Sequence, residues 1–398
     1  MARTPAVLAN GSRISDYLGL GVLAKWIPQA RVQAVLQQTG LASKRQRDLP
    51  ADLVVYYVIA LAIFMQVSYG EVLRCVLEGF QWLAGPGSRI KIAGHSGISQ
   101  ARSRLGVEPF ELLYRELVGP VAVAGSRGAL YRDLRLVTLD GSTLDVPDEV
   151  GNREAFGLPG ASRGASAYPQ LRFVALLENG THILFAARPG SFRTGEITLA
   201  KEVISALQPG MLCLADRGFL GYALWSQALE TGAHLLWRAK SHLRLEVLER
   251  YADGSYRSAI YASERDWRHR HDPLPVRVIE YRLKGETEAE DFYRLVTTLQ
   301  PEIAPADELA ALYAERWEIE GAFDELKTHL RGSRVVLRSK TPQLVLQEFY
   351  GLLLAHFAVR SLIHEAALLA REDPDRLSFL HAVRVIRRKL PAKAAISP

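Results

Sequence analysis

The sequence predicts a mixed α/β protein that is preceded by an all-α domain and interrupted by a β-rich insertion. Apolar residues recur at helical spacing as far as about residue 118, and from Leu134 onward the pattern becomes that of strands. Strands and helices then alternate until a β-rich stretch of about eighty residues, after which helices return. We therefore predict an all-α domain (1–125), an α/β core (126–236 and 306–370), a β-rich insertion (237–305) and a basic C-terminal tail (371–398).

The composition is that of a soluble globular protein. Of 398 residues, 48% are hydrophobic and 23% charged, and this length is typical of roughly two to three domains. The longest apolar run, Leu53–Val67, is shorter than the ~20 residues that span a bilayer, so it predicts a buried helix. Two cysteines in apolar surroundings, Cys75 and Cys213, and an N-terminus without the apolar core of a signal peptide indicate a reducing cytoplasm.

In the helical region, segments near Ala30–Thr39, Ala51–Val67 and Gly70–Ala84 carry helical periodicity. The stretch GHSGISQARSRLGVEPFELLYREL then predicts two short helices, the first capped by Ser99 and ended by Gly106. Two interpretations are open for this pair. It is either a helix-turn-helix that points Gln100, Arg102 and Arg104 at DNA, or a plain pair of packed helices.

Two aspartates follow apolar strands of the predicted core. Asp140 ends LRLVTLD, and Asp216 ends MLCLAD, whose apolar run is typical of a buried central strand. A single aspartate at a strand end is most often a turn residue. Ligands of open α/β sheets, however, collect outside the strand ends, so two such aspartates predict a site there.

The insertion reads as strands, beginning with HLLWRAK. LEVLERYADGSYRSAIYA predicts a hairpin that turns at Asp253–Gly254, and PVRVIEYRL and DFYRLVTTLQ predict two more strands. A long apolar helix in LVLQEFYGLLLAHFAVRSLIHEAALLA is expected to pack under the sheet.

Between the insertion and that apolar helix, the sequence predicts a helix from about Ala306 to Leu330, with Asp307 as its N-cap. Leu312, Ile319, Phe323, Leu326 and Leu330 share an apolar face, and Tyr313, Arg316, Glu320 and Lys327 form a second stripe at its border. The stripe is either a set of ordinary ion pairs on a solvated helix, or a carboxylate held between two bases at a site.

Asp140, Asp216 and Glu320, with no cysteine or suitably spaced histidine beside them, form an oxygen-only donor set that suits a hard cation such as Mg²⁺ or Mn²⁺. Such sites serve phosphoryl transfer, in which two ions activate the attacking oxygen and stabilise the leaving one.

The net charge is +6, and bases cluster in RGSRVVLRSK, RVIRRKLPAK and RDWRHRH. Clusters of this kind neutralise phosphates, so they favour a nucleic-acid partner. The first cluster, directly after the helix, offers Arg331, Arg334 and Arg338 as DNA contacts.

The order of these motifs resembles a known family. Over about residues 130–355, the sequence resembles the DDE transposases of the insertion-sequence-four group. The resemblance rests on three motifs in order: an aspartate after a strand, Asp-Arg-Gly-Phe after an apolar strand, and Tyr-x2-Arg-x3-Glu-x6-Lys at Tyr313–Lys327. The resemblance implies a ribonuclease-H-like core, a transposase that cleaves transposon ends and transfers the 3′-hydroxyl to target DNA, and two Mg²⁺ ions, with Mn²⁺ as substitute, on Asp140, Asp216 and Glu320. It also implies a homodimer on paired inverted repeats, near the bacterial nucleoid. The implied DNA contacts are Tyr313, Arg316, Lys327, Arg217, Trp237, Arg238, Lys240 and Tyr293.

Two alternatives are open. A ribonuclease-H-like nuclease would cleave DNA without joining strands, and a domesticated DNA-binding protein would have lost catalysis. Strand-transfer products from a DNA that carries the terminal inverted repeats would separate the transposase from both.

Overall fold

The computed structural model describes residues 20–43, 49–84, 95–161, 164–165, 168–282, 292–330 and 336–389. The chain forms two compact units. The helical unit is drawn from Met1–Val121, Leu144–Leu171 and Phe323–Pro398, and the sheet unit from Ala122–Thr143 and Arg172–Ala322. This division differs from the predicted boundaries, since the chain after Phe323 groups with the N-terminal helices.

The predicted N-terminal helices are confirmed. Those within the described ranges are α1 (Leu20–Trp26), α2 (Gln29–Gln38), α3 (Ala51–Ile63), α4 (Tyr69–Ala84), α5 (His95–Leu105) and α6 (Glu108–Leu117). Gly106 separates α5 from α6 with a φ of 68°, a left-handed conformation that favours glycine. Ser99 lies within α5, so it is not the N-cap that the sequence suggested.

The helical unit is built around two apolar helices. All residues of α3 from Leu53 onward are buried, as the sequence predicted, and α3 packs along α13 (Pro342–Ala370). A Cβ on Gly351 would lie 2.9 Å from Val58 Cγ1, so the close approach of the two helices requires glycine. The expectation that this long helix lies under the sheet is therefore wrong, because α13 packs chiefly against the N-terminal helices.

Among the described residues, α13 is the one helix long and apolar enough to cross a membrane. Of its most apolar window, 72% is buried inside the protein. Because core helices of soluble proteins share this length and composition, α13 is weak evidence for a membrane span.

Further short elements complete the helical unit. They are α7 (Val150–Phe156), the strands β3 (Gly160–Ala161) and β4 (Gly164–Ala165), and α14 (Phe379–Lys389). The predicted basic tail thus contains a helix. Val383 and Ile386 of α14 are buried, and Arg387 donates hydrogen bonds to backbone carbonyls of Ile63 and Leu330.

One mixed sheet of ten strands, within the described residues, forms the centre of the sheet unit. In spatial order it contains β6 (Ile183–Ser191), β5 (Gln170–Glu178), β2 (Leu134–Asp145), β7 (Met211–Ala215), β8 (His234–Arg238), β12 (Tyr293–Thr297), β11 (Leu274–Tyr281), β10 (Tyr256–Ile260) and β9 (Glu249–Arg250), with β1 (Leu130–Tyr131) beside β2. The central strands β2, β7 and β8 are parallel. Helices α8 (Glu196–Val203) and α9 (Tyr222–Glu230) connect the strands of this core.

The insertion continues this sheet. Strand β12 pairs antiparallel with β8, and β11, β10 and β9 follow outward, with the short helix α10 (Glu264–His269) between β10 and β11. The predicted hairpin is confirmed, and Gly254 in its turn has a φ of 85°. Arg277 is buried beneath it and donates to Ser255, to Asp253 and to the carbonyls of Leu299 and Ala304.

The predicted helix of 306–330 is helical throughout, but it changes geometry three times. It begins with α11 (Ala306–Leu312), tightens to a 3₁₀ segment over Tyr313–Trp317, returns to α12 (Glu318–Asp324) and widens to a π segment over Glu325–Leu330. Asp307 makes no cap hydrogen bond and lies in the first turn, so its predicted capping role is wrong.

The face of the sheet formed by Leu214, Leu236 and Leu295 packs against Leu309 of α11. The 3₁₀ segment has three residues per turn, so Tyr313 and Arg316 lie on the same side of the helix. Glu320 follows four residues later in α geometry, one turn further along.

Candidate active site

Two parallel strands place the aspartates side by side. The pairing of β2 with β7 runs to Leu139 opposite Ala215, so the next residues, Asp140 and Asp216, emerge together at one edge of the paired segment. Asp216 follows the last residue of β7, as predicted. Asp140 does not end its strand, because β2 continues to Asp145. Their neighbouring placement comes from the strand register.

The Asp140 carboxyl is largely buried, with 20% of its side chain exposed. Burial raises its pKa to about 6, and the nearby charges of Asp216 and Glu196 add to the rise. The backbone N–H of Gly141, 2.7 Å from Asp140 Oδ1, and the guanidinium of Arg316 favour the ionised form and limit the shift.

Asp216 is held by the tight turn that follows it. Its Oδ1 accepts a hydrogen bond from the backbone N–H of Gly218 at 2.7 Å. A Cβ on Gly218 would lie 2.9 Å from that same oxygen, so a larger residue there would displace the Asp216 carboxylate. This contact gives a physical reason for the Asp-Arg-Gly order in the sequence.

Arg316 joins two of the predicted acids. One terminal nitrogen lies 3.3 Å from Asp140 Oδ2 and the other 3.7 Å from Glu320 Oε1. Only 9% of the Arg316 side chain is exposed, whereas 51% of the Glu320 side chain is exposed. Arg316 and Glu320 of the second stripe therefore lie beside Asp140, and the arginine is placed between the two carboxylates.

Tyr313 makes a structural hydrogen bond, and its predicted phosphate contact stays a prediction. Its side chain is buried, and its hydroxyl donates to the carbonyl of Ala215 at 3.1 Å. Burial raises the pKa of Tyr313 above its usual range, so the phenol is neutral. The hydrogen bond ties the 3₁₀ segment to the end of β7, directly before Asp216.

These residues surround one cavity of about 590 Å³. All three predicted acids line it, together with Arg217, Arg238, Tyr281, Tyr293, Ala310, Tyr313, Ala314, Arg316 and Trp317. Tyr281 and Tyr293 come from the neighbouring strands β11 and β12, and their rings stack with centroids 5.5 Å apart. The Arg238 guanidinium lies 4.2 Å from the centre of the Tyr293 ring. The acids thus share a cavity with arginines and aromatic rings.

Three residues near the acids were not among the predicted site residues. Tyr281 lies directly opposite Tyr293 in the β11–β12 register, but that pairing is visible only once both strands are aligned. Trp317 is 59% exposed, and the Arg316 guanidinium lies 4.5 Å from its ring centre. Glu196, in the first turn of α8, comes close to Gly141 and could be recognised in the sequence only as a helix-start acid.

Two predicted DNA contacts are contradicted by burial. Arg102 is 3% exposed and donates to Gln347 at 2.8 Å and Ser339 at 2.9 Å, so it joins α5 to α13 instead of facing DNA. Trp237 is fully buried in β8 and packs edge-on against Trp225 at 5.1 Å.

For the remaining predicted DNA contacts the structure gives positions only. Gln100, Arg104, Arg217 and Lys240 are exposed, and Tyr293 and Arg238 line the cavity. Arg338 packs over the Tyr69 ring at 4.0 Å, and Lys327 lies half-buried on the π segment in the helical unit. Arg331 and Arg334 lie outside the described residues. Their contact with DNA stays a prediction.

Two aspartates on adjacent parallel strands, with a glutamate from a following helix, form the acidic centre of a ribonuclease-H-like fold. Comparison with known families identifies the class. Residues 131–358 match the Transposase DDE domain, and residues 18–115 match the Insertion element 4 transposase N-terminal domain. The chain belongs to the DDE transposase family, and it is a transposase of the insertion-sequence-four group.

Individual relatives agree with this assignment. Transposase InsG for insertion sequence element IS4, from Escherichia coli (strain K12), is 27% identical over 383 residues, which cover 94% of this chain and 84% of the relative. Putative transposase InsZ, from the same organism, is 27% identical over 237 residues, which cover 57% of this chain and 74% of the relative. Membership of the family implies DNA as substrate and the use of a divalent metal.

Proposed function

We propose that this transposase cleaves DNA at the ends of its element and transfers the freed 3′-hydroxyl into target DNA. The observation that carries the proposal is the meeting of Asp140, Asp216 and Glu320 in one cavity, although they come from three separate stretches of the chain. The alignment of InsG with nearly the whole chain supports the same reaction class.

The donor atoms of the cavity fit a hard cation. Asp140, Asp216 and Glu320 offer carboxylate oxygens alone, which suit Mg²⁺, with Mn²⁺ as substitute. Asp140 is buried beside another acid, so its ionised form is costly until a cation offsets the charge. Two such ions, held by these carboxylates, would activate the attacking oxygen and stabilise the leaving one.

The proposed reaction has two steps, cleavage of the DNA strand and transfer of the freed end. In cleavage, a water oxygen bonds to the scissile phosphorus and the bond to the 3′-oxygen breaks, which leaves a 3′-hydroxyl and a 5′-phosphate. In transfer, that 3′-oxygen bonds to a target phosphorus and a target 3′-oxygen leaves. Arg217 and Arg238 line the cavity with the acids and oppose the charge of the DNA phosphates.

The proposed partners are the terminal inverted repeats and the target DNA, held by a homodimer on paired ends in the bacterial cytoplasm near the nucleoid. The net charge of +6 favours binding to this polyanion. Tyr293, which stacks with Arg238 in the cavity, and the exposed Lys240 are further proposed DNA contacts in the sheet unit.

The test uses the purified chain, Mg²⁺ and a duplex that carries the inverted repeats flanking its coding sequence. We expect cleavage at the repeat ends, followed by products joined to a target plasmid. Glu320→Gln is the matched control, because it keeps the side-chain shape and should still bind the duplex without cutting it. Cleavage without joined products would indicate the nuclease, and binding without cleavage by the wild type would indicate the DNA-binding protein.

A further inference from the structure

Arg316 lies between two of the carboxylates in the acidic site. Its two terminal nitrogens face Asp140 Oδ2 at 3.3 Å and Glu320 Oε1 at 3.7 Å, and its side chain is 9% exposed. Its Nε is buried and has no hydrogen-bond partner among the described residues. The guanidinium is thus placed by charge and packing, with one donor left unused.

This position has an electrostatic reason. Asp140, Asp216 and Glu196 bring negative charge into a partly buried region, and like charges in such a place repel one another. A guanidinium between Asp140 and Glu320 offsets part of that repulsion. A divalent cation held by the same two carboxylates would compete with Arg316 for their oxygens.

The released guanidinium would have a support and a second use. The Trp317 ring lies 4.5 Å from it and is 59% exposed, so the cation can stay on the ring while its partners change. Arginine binds phosphate oxygens with two parallel N–H donors, and the cavity of about 590 Å³ is shared with two further arginines.

We propose that Arg316 is the internal counter-ion of the metal-free site and couples metal binding to DNA binding. The inference rests on the proposed function, since it takes the three acids as the metal ligands. A divalent ion that takes the carboxylates of Asp140 and Glu320 frees Arg316 for a DNA phosphate. A phosphate that takes Arg316 uncovers the carboxylates, so each ligand tightens the binding of the other by the same factor.

The test measures Mn²⁺ affinity on the full chain from the electron paramagnetic resonance signal of free Mn²⁺, with and without a duplex that lacks inverted repeats. Without DNA, Arg316→Ala should bind Mn²⁺ about tenfold more tightly than the wild type, a change of about 1.4 kcal/mol. The duplex should tighten Mn²⁺ binding by the wild type and leave the affinity of the variant unchanged.

Arg238→Ala is the matched control, because it removes a cation that lines the same cavity but stacks on Tyr293. If both alanine variants tighten Mn²⁺ binding equally, the effect is one of net charge and the counter-ion role is refuted. Weaker binding of Mn²⁺ by a folded Arg316→Ala would also refute it.

Arg316→Lys provides a second readout if the alanine variant unfolds. It keeps the charge without the planar fork, so Mn²⁺ should bind as in the wild type while the duplex loses most of its effect. Undiminished coupling in this variant would overturn the inference. Asp140→Asn tests the metal site separately: Mn²⁺ affinity that survives this change would contradict the proposed function, whatever Arg316 does.

Discussion

Replacing Asp140 with asparagine is expected to stabilise the metal-free protein at neutral pH. The wild-type carboxyl is 20% exposed and lies near the charges of Asp216 and Glu196. Asparagine has the shape of the protonated acid, and its side-chain oxygen can still accept the hydrogen bond from the N–H of Gly141. The variant therefore removes the cost of a buried charge and keeps the local hydrogen bond.

The expected gain in the free energy of unfolding follows from the pKa of Asp140. In the folded protein it is raised from 3.8 to about 6, and each pH unit between the two values corresponds to about 1.4 kcal/mol. The upper limit is therefore roughly 3 kcal/mol, and we expect ~1 to 2 kcal/mol, since solvent reaches part of the side chain.

The sign depends on pH. The pKa of Asp140 is higher in the folded protein than in the unfolded chain, so the protonated carboxyl favours folding. This contribution is fully present below pH 3.8 and is lost as the pH rises through about 6. The advantage of the asparagine variant should therefore be full at pH 8 and reduced at pH 5.

Urea unfolding in the presence of a chelator, followed by tryptophan fluorescence at pH 5 and pH 8, measures this difference. Asp148→Asn is the control, because Arg153 lowers the pKa of that exposed carboxyl, so its loss should not stabilise the protein at either pH. The reasoning would be refuted if Asp140→Asn were less stable than the wild type at pH 8, or if its gain in unfolding free energy were as large at pH 5 as at pH 8.

Three further changes test other parts of the structure. Glu320→Gln should lower the rate of DNA cleavage at least about a hundredfold, because it removes a metal ligand; equal rates in a gel assay would contradict its role. Arg277→Met should lower the free energy of unfolding by ~3 kcal/mol, since it leaves Asp253 and two buried carbonyls without their donor; an unchanged urea midpoint would argue against this. Gly351→Ala should cost ~1 to 3 kcal/mol through its clash with Val58, visible as a lower midpoint for loss of helical circular dichroism; an equal midpoint would show that α3 and α13 can separate.

Local patterns in the sequence were enough to predict most elements and the acidic residues. Helical spacing predicted α2, α3 and α4, and the apolar run before Asp216 predicted a buried strand, β7, that ends at the site. These predictions depend on the spacing of neighbouring residues, which determines the face that a helix or strand buries. The motif at 313–327 favoured a transposase among the possible functions, because it combines an acid with bases on one stripe of a helix.

The side-chain environments were decided only by the tertiary structure. Arg102 reads as an exposed base in a short helix, yet its partners Gln347 and Ser339 lie 245 and 237 residues further along the chain. Trp237 was expected to contact DNA from an insertion strand, but β8 is an internal strand of the sheet and buries this side chain. Arg316 was expected to meet a phosphate, and it meets Asp140 on a strand 176 residues away. The sequence by itself determined which residues carry charge and which face of each element is apolar. Burial and ion pairing depend on residues brought together from distant parts of the chain, so only the folded structure could assign them.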